Sequence, residues 1–594
     1  MQSSAVISAQ RDSQFTWKQQ TPKSAVAVTA QYETTKITRD VIVFKFPPLL
    51  LKVFRIRVNL REINSALQAK MTIYVLEISI ISCGYLPIIT GNGGFMSLFV
   101  SVVALALCTG DRLELALDHA GDNRSELQAV LDHYEVSGNS QKYEAACFLI
   151  ENMAGHNYAE LVFFDPDDNR VEFDSLSYAS YDEASAAMSA LEKVSGEVHY
   201  GRGETVHDTQ TITCEYLINN IDLAFQSWQN NPWSIEVSFE DFCEYILPYR
   251  GSNEPVEFWR GELMEEFSNL AEEMENPLDP KEAGQLLERK ANQMVGFDPI
   301  FYLHPTDQGF AEMKARGLGR CEDITNMQIY ARRAGGVAVA SDYTPHWAKS
   351  GNNHAWSVVI GADGKGYSPI SGVAAKVYRK TFSEQRSSLG AMLEEGESAP
   401  RWLKGTYYED VTDSYVDTSD VGIWLPEIPT GTKYAYLSVF NSGHWRPIQW
   451  SSVQTNSATF VGMGQDIVYL PMVHIDGENI PAGEPFILQK DGSTRTLLGG
   501  GEAVAIETNE TTERRVAYAN WTDESVTVPL KNDAVYELFV WNNDAWESLI
   551  KAIGGIEATT FDSLHQGTLY WLVDSNGDRE ERPFTIENGS IVRW

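Results

Sequence analysis

The 594-residue chain is short of positive charge and of cysteine. Lys and Arg number 46 against 82 Asp and Glu, a net charge of −36. Phosphate backbones are held by Lys and Arg clusters, so nucleic acid is excluded as a general partner. Six cysteines are present and no two form a CxxC pair, which excludes a zinc ribbon or a thioredoxin-type dithiol. No exact internal repeat is found. The acidic stretch "DSNGDREE" (574–581) lacks EF-hand spacing and reads as a hairpin turn. No metal and no cofactor is expected.

What is present is globular: 43% apolar and 22% charged, with aromatics throughout, in a chain long enough for three or four domains. Charge divides it into three segments. Residues 1–70 carry 11 Lys and Arg against 4 Asp and Glu, residues 71–110 carry no basic residue and one acid, Glu77, and the remainder carries 35 against 77. The middle segment ends in "FMSLFVSVVALALCTGD", an apolar run of leader length that gives way at once to polar, helix-forming sequence. Residues 71–108 are therefore expected to be a signal segment. Leu105, Ala106 and Cys108 resemble a bacterial lipoprotein signal, which implies lipidation at Cys108, although Leu107 stands where that signal has a small residue. A membrane-spanning helix is the alternative, with Glu77, Pro87, Gly91, Gly93 and Gly94 in its path. Residues 1–70 are expected to be a non-native or disordered basic extension ahead of the leader. The protein is thus expected to be exported, periplasmic or at the cell surface, touching a membrane only through leader or lipid.

Residues 109–299 read as a mostly helical domain, with strand-like patches at "YAELVFFD" and "NRVEFDSLSY". Cys147, Cys214 and Cys243 each fall on a stripe of helical spacing and are explained as small core residues. In "SFEDFCEYILPY", Ser238 and Asp241 form a capping pattern and Pro248 helps to stop the helix. From 401 onward short alternating runs and turn residues predict two β-sandwiches, 401–499 and 500–594. Between lies 300–400, expected to be an α+β core.

Cys321 differs from the other three. In "GLGRCEDITNMQIYARRAGG" (317–336) it opens a helix, where backbone N–H groups and the helix dipole favour a thiolate and can hold an oxyanion. Glycine ahead of it would let a substrate backbone approach. His354 begins "HAWSVVI", an apolar strand expected to pack on that helix and able to offer an imidazole to the sulfur. Spacing alone leaves a chance pairing open.

The run "GRCEDITNMQIYARRAGGVAVASDYTPHW", followed by "NNHAWSVVI" and "GKGYSPISG", resembles the transglutaminase-like core over about 300–385. Over roughly 110–594 the chain is similar to the large secreted transglutaminase-like proteins of Bacteroidota. The resemblance implies a papain-like α+β core in which Cys321 is the nucleophile and His354 its acid/base. The resemblance further implies attack on a protein or peptide amide through a thioester, with hydrolysis favoured over cross-linking. Ser371 falls where the family has the aspartate that orients the histidine, and a hydroxyl brings no charge to an imidazolium. Trp356, beside His354, is a candidate for substrate contact. The competing expectation is a catalytically degenerate surface protein that binds glycan or protein. Its β-domains carry Trp402, Trp424, Trp445, Trp450, Trp541, Trp546 and Trp571, most of them expected to be packing residues.

Overall fold

The computed structural model describes residues 112–594 apart from 305, 367, 369, 371, 518–521, 556 and 578. The basic extension, the leader with Cys108, and Ser371 lie outside the described residues. Helices occupy the N-terminal half and antiparallel sheets the C-terminal region. Among the described residues no helix is long and apolar enough to cross a membrane.

The helical region follows from its stripes. Helices α1 (Arg124–Ser137), α2 (Ser140–Asn152) and α3 (Cys214–Asn230) turn Leu127, Val130, Leu149, Ile150, Leu217 and Ile221 into one cluster. Asn139 and Thr213 cap α2 and α3 by accepting from Lys142 N and Tyr216 N, and α1 stops at Gly138, whose φ of 70° suits glycine. Cys243 is buried, Cys147 and Cys214 are half-buried against the same cluster, and no disulfide joins them. Ser238 caps its helix by accepting from Asp241 N at 3.0 Å, but after Asp241 the helix widens into a π-turn over Phe242–Ile246. The expected strand at Asn157–Phe164 (β1) forms, paired with His199–His207 (β2), which carries no strand signal of its own.

The α+β core has helices α4 (Pro280–Met294) and α5 (Cys321–Ala334) and the strands β3 (Val339–Thr344), β4 (His354–Val359), β5 (Tyr378–Lys380) and β6 (Tyr408–Asp410). The sheet order is β4-β3-β5-β6, antiparallel throughout. Register pairs Ser341 with Ser357, Asp342 with Trp356, Thr344 with His354, and Lys380 with Tyr408. Both faces are buried. Val359 joins Leu287, Tyr330 and Ala331 of the helices, whereas Ala340 and Val358 join the α1–α3 cluster.

Farther on, β7 (Tyr434–Asn441) lies between β8 (His444–Ser452) and β9 (Ile467–Ile475), and β10 (Val535–Asn542) between β11 (Ala545–Ile553) and β12 (Tyr570–Asp574). Trp541 and Trp571 are buried, Trp402, Trp445, Trp450 and Trp546 pack against apolar clusters, and Trp424 is exposed. "DSNGD" is a turn, closed by Gly577 N donating to Asp574 O at 3.0 Å.

Arg582 ties these sheets to the core. Its buried guanidinium donates to Ala348 O (2.6 Å), Ser350 O (3.2 Å) and Phe440 O (2.7 Å). Asn441 Nδ2 donates to the carbonyls of Trp347, Ser350 and Asn352. The loop that leads into His354 is thereby held by residues of the C-terminal region.

Candidate functional site

The N-terminus of α5 is built on Asp323. This buried carboxylate accepts from Arg320 N at 2.9 Å and from Gln308 N at 3.0 Å, fixing the chain on both sides of the glycine pair Gly317 and Gly319. A Cβ on Gly319 would stand 2.7 Å from Asp323 Cβ. Gly319 is therefore required by the cap, whatever approaches from outside. Arg320 in turn forms an ion pair with Asp307.

Cys321 is the first residue of α5 and is half-buried. The Tyr302 hydroxyl lies 3.5 Å from its Sγ. Burial pushes the thiol pKa up, and the Tyr302 contact, the local backbone N–H and Arg320 only partly offset this. A thiol poised for attack is shifted the other way.

The next residue anchors the helix to the sheet. Burial opposes charge on Glu322, but the Lys380 ammonium at 2.7 Å, with Ser252, holds its carboxyl well below the usual range. Lys380 belongs to β5, so the first turn of α5 lies over that strand. Farther along, Arg332 Nη1 donates to Ser357 Oγ of β4 and that hydroxyl donates to Gln328 Oε1, each at 2.5 Å. The helix thus crosses the sheet from β5 toward β4.

This crossing fixes where His354 stands. Ser357 faces α5, and side chains alternate along a strand, so Ala355, Ser357 and Val359 share that face while His354, Trp356 and Val358 share the other. Ring contacts agree: His354 lies 5.5 Å from Trp356 and 6.2 Å from Trp347. Strand and helix do pack as the sequence suggested. Cys321 heads the helix on one side of the sheet, and the His354 ring is on the strand face turned from it. Trp356 Nε1 donates to Tyr415 OH at 3.2 Å, and that hydroxyl donates to Asp342 at 2.6 Å. Asp363 sits in the hairpin turn, accepting from Lys365 N at 3.1 Å.

Beside the first turn of α5 is a cleft of about 280 Å³. Ser341 and Tyr343 of β3 and Lys380 of β5 form its floor, Arg333 of α5 and the 250–253 loop one wall, and Trp402 with 405–408 another. Glu254 holds the loop by accepting from Gly251 N (2.6 Å), Ser252 N (2.7 Å) and the Tyr330 hydroxyl. Arg333 reaches the same loop, donating to the carbonyls of Tyr245, Pro248 and Arg250. Arg333, Ser341 and Tyr343 fall within the run 319–347, but nothing in it marks them as the lining of a cleft. Three distant segments meet there only because α5 crosses the sheet. Among the described residues no cluster of His, Cys, Asp and Glu is arranged to hold a metal.

No protein-family model matches the chain, and no curated protein matches it. Among solved structures, a red sea bream transglutaminase aligns over 75% of this chain and 78% of its own, at 10% identity and a TM-score of 0.17. A TM-score that low carries no argument about a shared fold.

Proposed function

We propose that this is a binding protein built on an α+β core whose cysteine is not poised for attack, with the cleft beside α5 as the site of recognition. The observation that carries the reading is the state of Cys321: a half-buried thiol beside Tyr302, its pKa pushed up by burial, with the His354 ring on the far face of β4. A nucleophilic thiol needs the opposite, a partner base and a depressed pKa. The sandwich tryptophans support this less than the cleft does, because nearly all are spent on packing.

The test is the pH dependence of iodoacetamide labelling at Cys321, read by peptide mass spectrometry in wild type and His354→Ala. The reading expects slow labelling that rises only at or above the pKa of a free thiol, about 8.5, and is unchanged in the variant. Fast labelling near neutral pH that His354→Ala abolishes would overturn it.

That second outcome would support the thiol-enzyme reading, which one observation favours: Cys321 heads a 14-residue helix whose first-turn N–H groups suit a thiolate or oxyanion. Thiolate attack on an amide carbonyl would then form the thioester while the imidazolium protonates the leaving nitrogen. Water or an amine would release the acyl group. Export with lipidation at Cys108 is proposed alongside either reading. Labelled palmitate incorporated by wild type and lost in Cys108→Ser is the expected result.

A further inference from the structure

The cleft is lined by two buried hydroxyls without a hydrogen-bond partner, those of Ser341 and Tyr408, and by two cations that are incompletely used, Arg333 and Lys380. Ser341 is 3% exposed, and its Oγ has no hydrogen-bond partner in the protein. Arg333 is 6% exposed and spends Nε and Nη1 on backbone carbonyls, leaving both Nη2 hydrogens without a protein acceptor. No carboxylate lies in ion-pair contact with it among the described residues, although buried charges are ordinarily paired. The nearby acids are committed elsewhere: Glu254 to two loop N–H groups and the Tyr330 hydroxyl, and Glu244 to Phe382 N and Ser383 N. Lys380 Nζ bonds Glu322 at 2.7 Å and Ser252 at 2.9 Å and keeps a third hydrogen. The rings of Tyr245 and Trp402 stand in the walls and the Tyr343 ring in the floor.

We propose that the cleft binds a hexuronic acid unit, its carboxylate on Arg333, a ring hydroxyl on Ser341 and its ring against the aromatic wall. The assignment rests on the binding reading above and names its ligand. The open Nη2 amino group of Arg333, charged and without an acceptor, is matched by a carboxylate oxygen, which takes a charge-assisted hydrogen bond from it. An unpartnered buried hydroxyl is matched by another hydroxyl. At about 280 Å³ the cleft is at the small end for ligand sites, so it takes one ring rather than a length of extended chain. The acidic protein repels polyanions at long range, but beyond about 8 Å that repulsion is screened at physiological salt. One acidic ring in contact with Arg333 does not feel most of it.

The experiment is titration calorimetry of the whole chain with glucuronate, glucose, acetate and an N-acetylated dipeptide. Glucuronate is expected to bind saturably, with glucose and acetate each about tenfold weaker or more. Ser341→Ala removes an unpaired hydroxyl and leaves the fold intact; it is expected to weaken glucuronate about fivefold, the worth of one hydrogen bond. Arg333→Lys is expected to narrow the preference of glucuronate over glucose. The assignment is overturned by no saturable glucuronate binding, by equal binding of glucose, by tighter binding of the dipeptide, or by a Ser341→Ala variant that binds as wild type. The thiol titration is read separately. A slow thiol without glucuronate binding sinks the ligand and leaves the binding reading, whereas a fast, His354-dependent thiol sinks the binding reading itself.

Discussion

Asp342→Ala should open the core sheet, and the structure says by how much. The Asp342 carboxylate is fully buried and takes Arg379 Nε at 2.9 Å, Arg379 Nη2 at 3.0 Å and the Tyr415 hydroxyl at 2.6 Å. Cutting it back to Ala leaves the Arg379 charge in the interior with the Gly364 carbonyl at 3.0 Å and Glu409 at 3.9 Å as its remaining acceptors. Breaking a buried pair by removing one partner costs about 3–5 kcal/mol, and the surviving Glu409 contact argues for the low end. Global denaturation of a chain of 594 residues gives no single two-state free energy, so the measurement is hydrogen exchange resolved to peptides covering 339–344 and 354–359. At about 1.4 kcal/mol per decade, protection there should fall roughly a hundredfold or more. The double variant Asp342→Leu with Arg379→Met removes both charges and should recover much of that loss. A fall of less than about threefold, or a double variant worse than the single one, would refute the reasoning.

Gly319→Ala should displace the Asp323 cap, costing about 1–3 kcal/mol, seen as lost protection at the start of α5 with later turns intact. Glu322 offers a test by pH. Its folded pKa is depressed, so its contribution is present above the unfolded glutamate value of 4.5 and is lost as pH falls through the folded value. Acid should therefore loosen the α5 N-terminus below that point, and Glu322→Gln should flatten the dependence. Arg582→Met removes the donor to four buried carbonyls, those of Ala348, Ser350, Phe440 and Trp594, of which Ser350 keeps Asn441 Nδ2, and should cost about 3–5 kcal/mol. Limited proteolysis should then cut within 345–353, and uncut loops would count against the clamp.

Much of the helical half was legible because its stripes face one way. The spacing of Leu217, Ile221 and Phe225, and the capping serine at 238, led directly to buried residues and a cap. The π-turn after Asp241 was not, since the same side chains suit either winding. "HYGRGETVH" forms a strand through its pairing with Asn157–Phe164, and no propensity of its own announces it. Cys321 at a helix head was legible from the glycines, acids and stripe around it. The face of His354 was not. "HAWSVVI" is apolar nearly throughout because both faces of the sheet are covered, and a run without alternation does not reveal its parity. The pairing of Thr344 with His354 decides it, and that is a property of the sheet. The cleft was hidden for a related reason: Arg333, Ser341 and the 405–408 segment each look ordinary alone.

The Arg582 clamp sets an order on synthesis. The carbonyls of Ala348 and Ser350 belong to the loop before His354, yet their donor lies more than 230 positions downstream. At roughly 5–20 residues per second, the ribosome delivers that guanidinium some ten to fifty seconds after the loop has emerged. Asn441 can reach the Ser350 oxygen earlier, but until Arg582 arrives the Ala348 oxygen is left to water, and the nascent core waits half-finished for the last sheet to arrive.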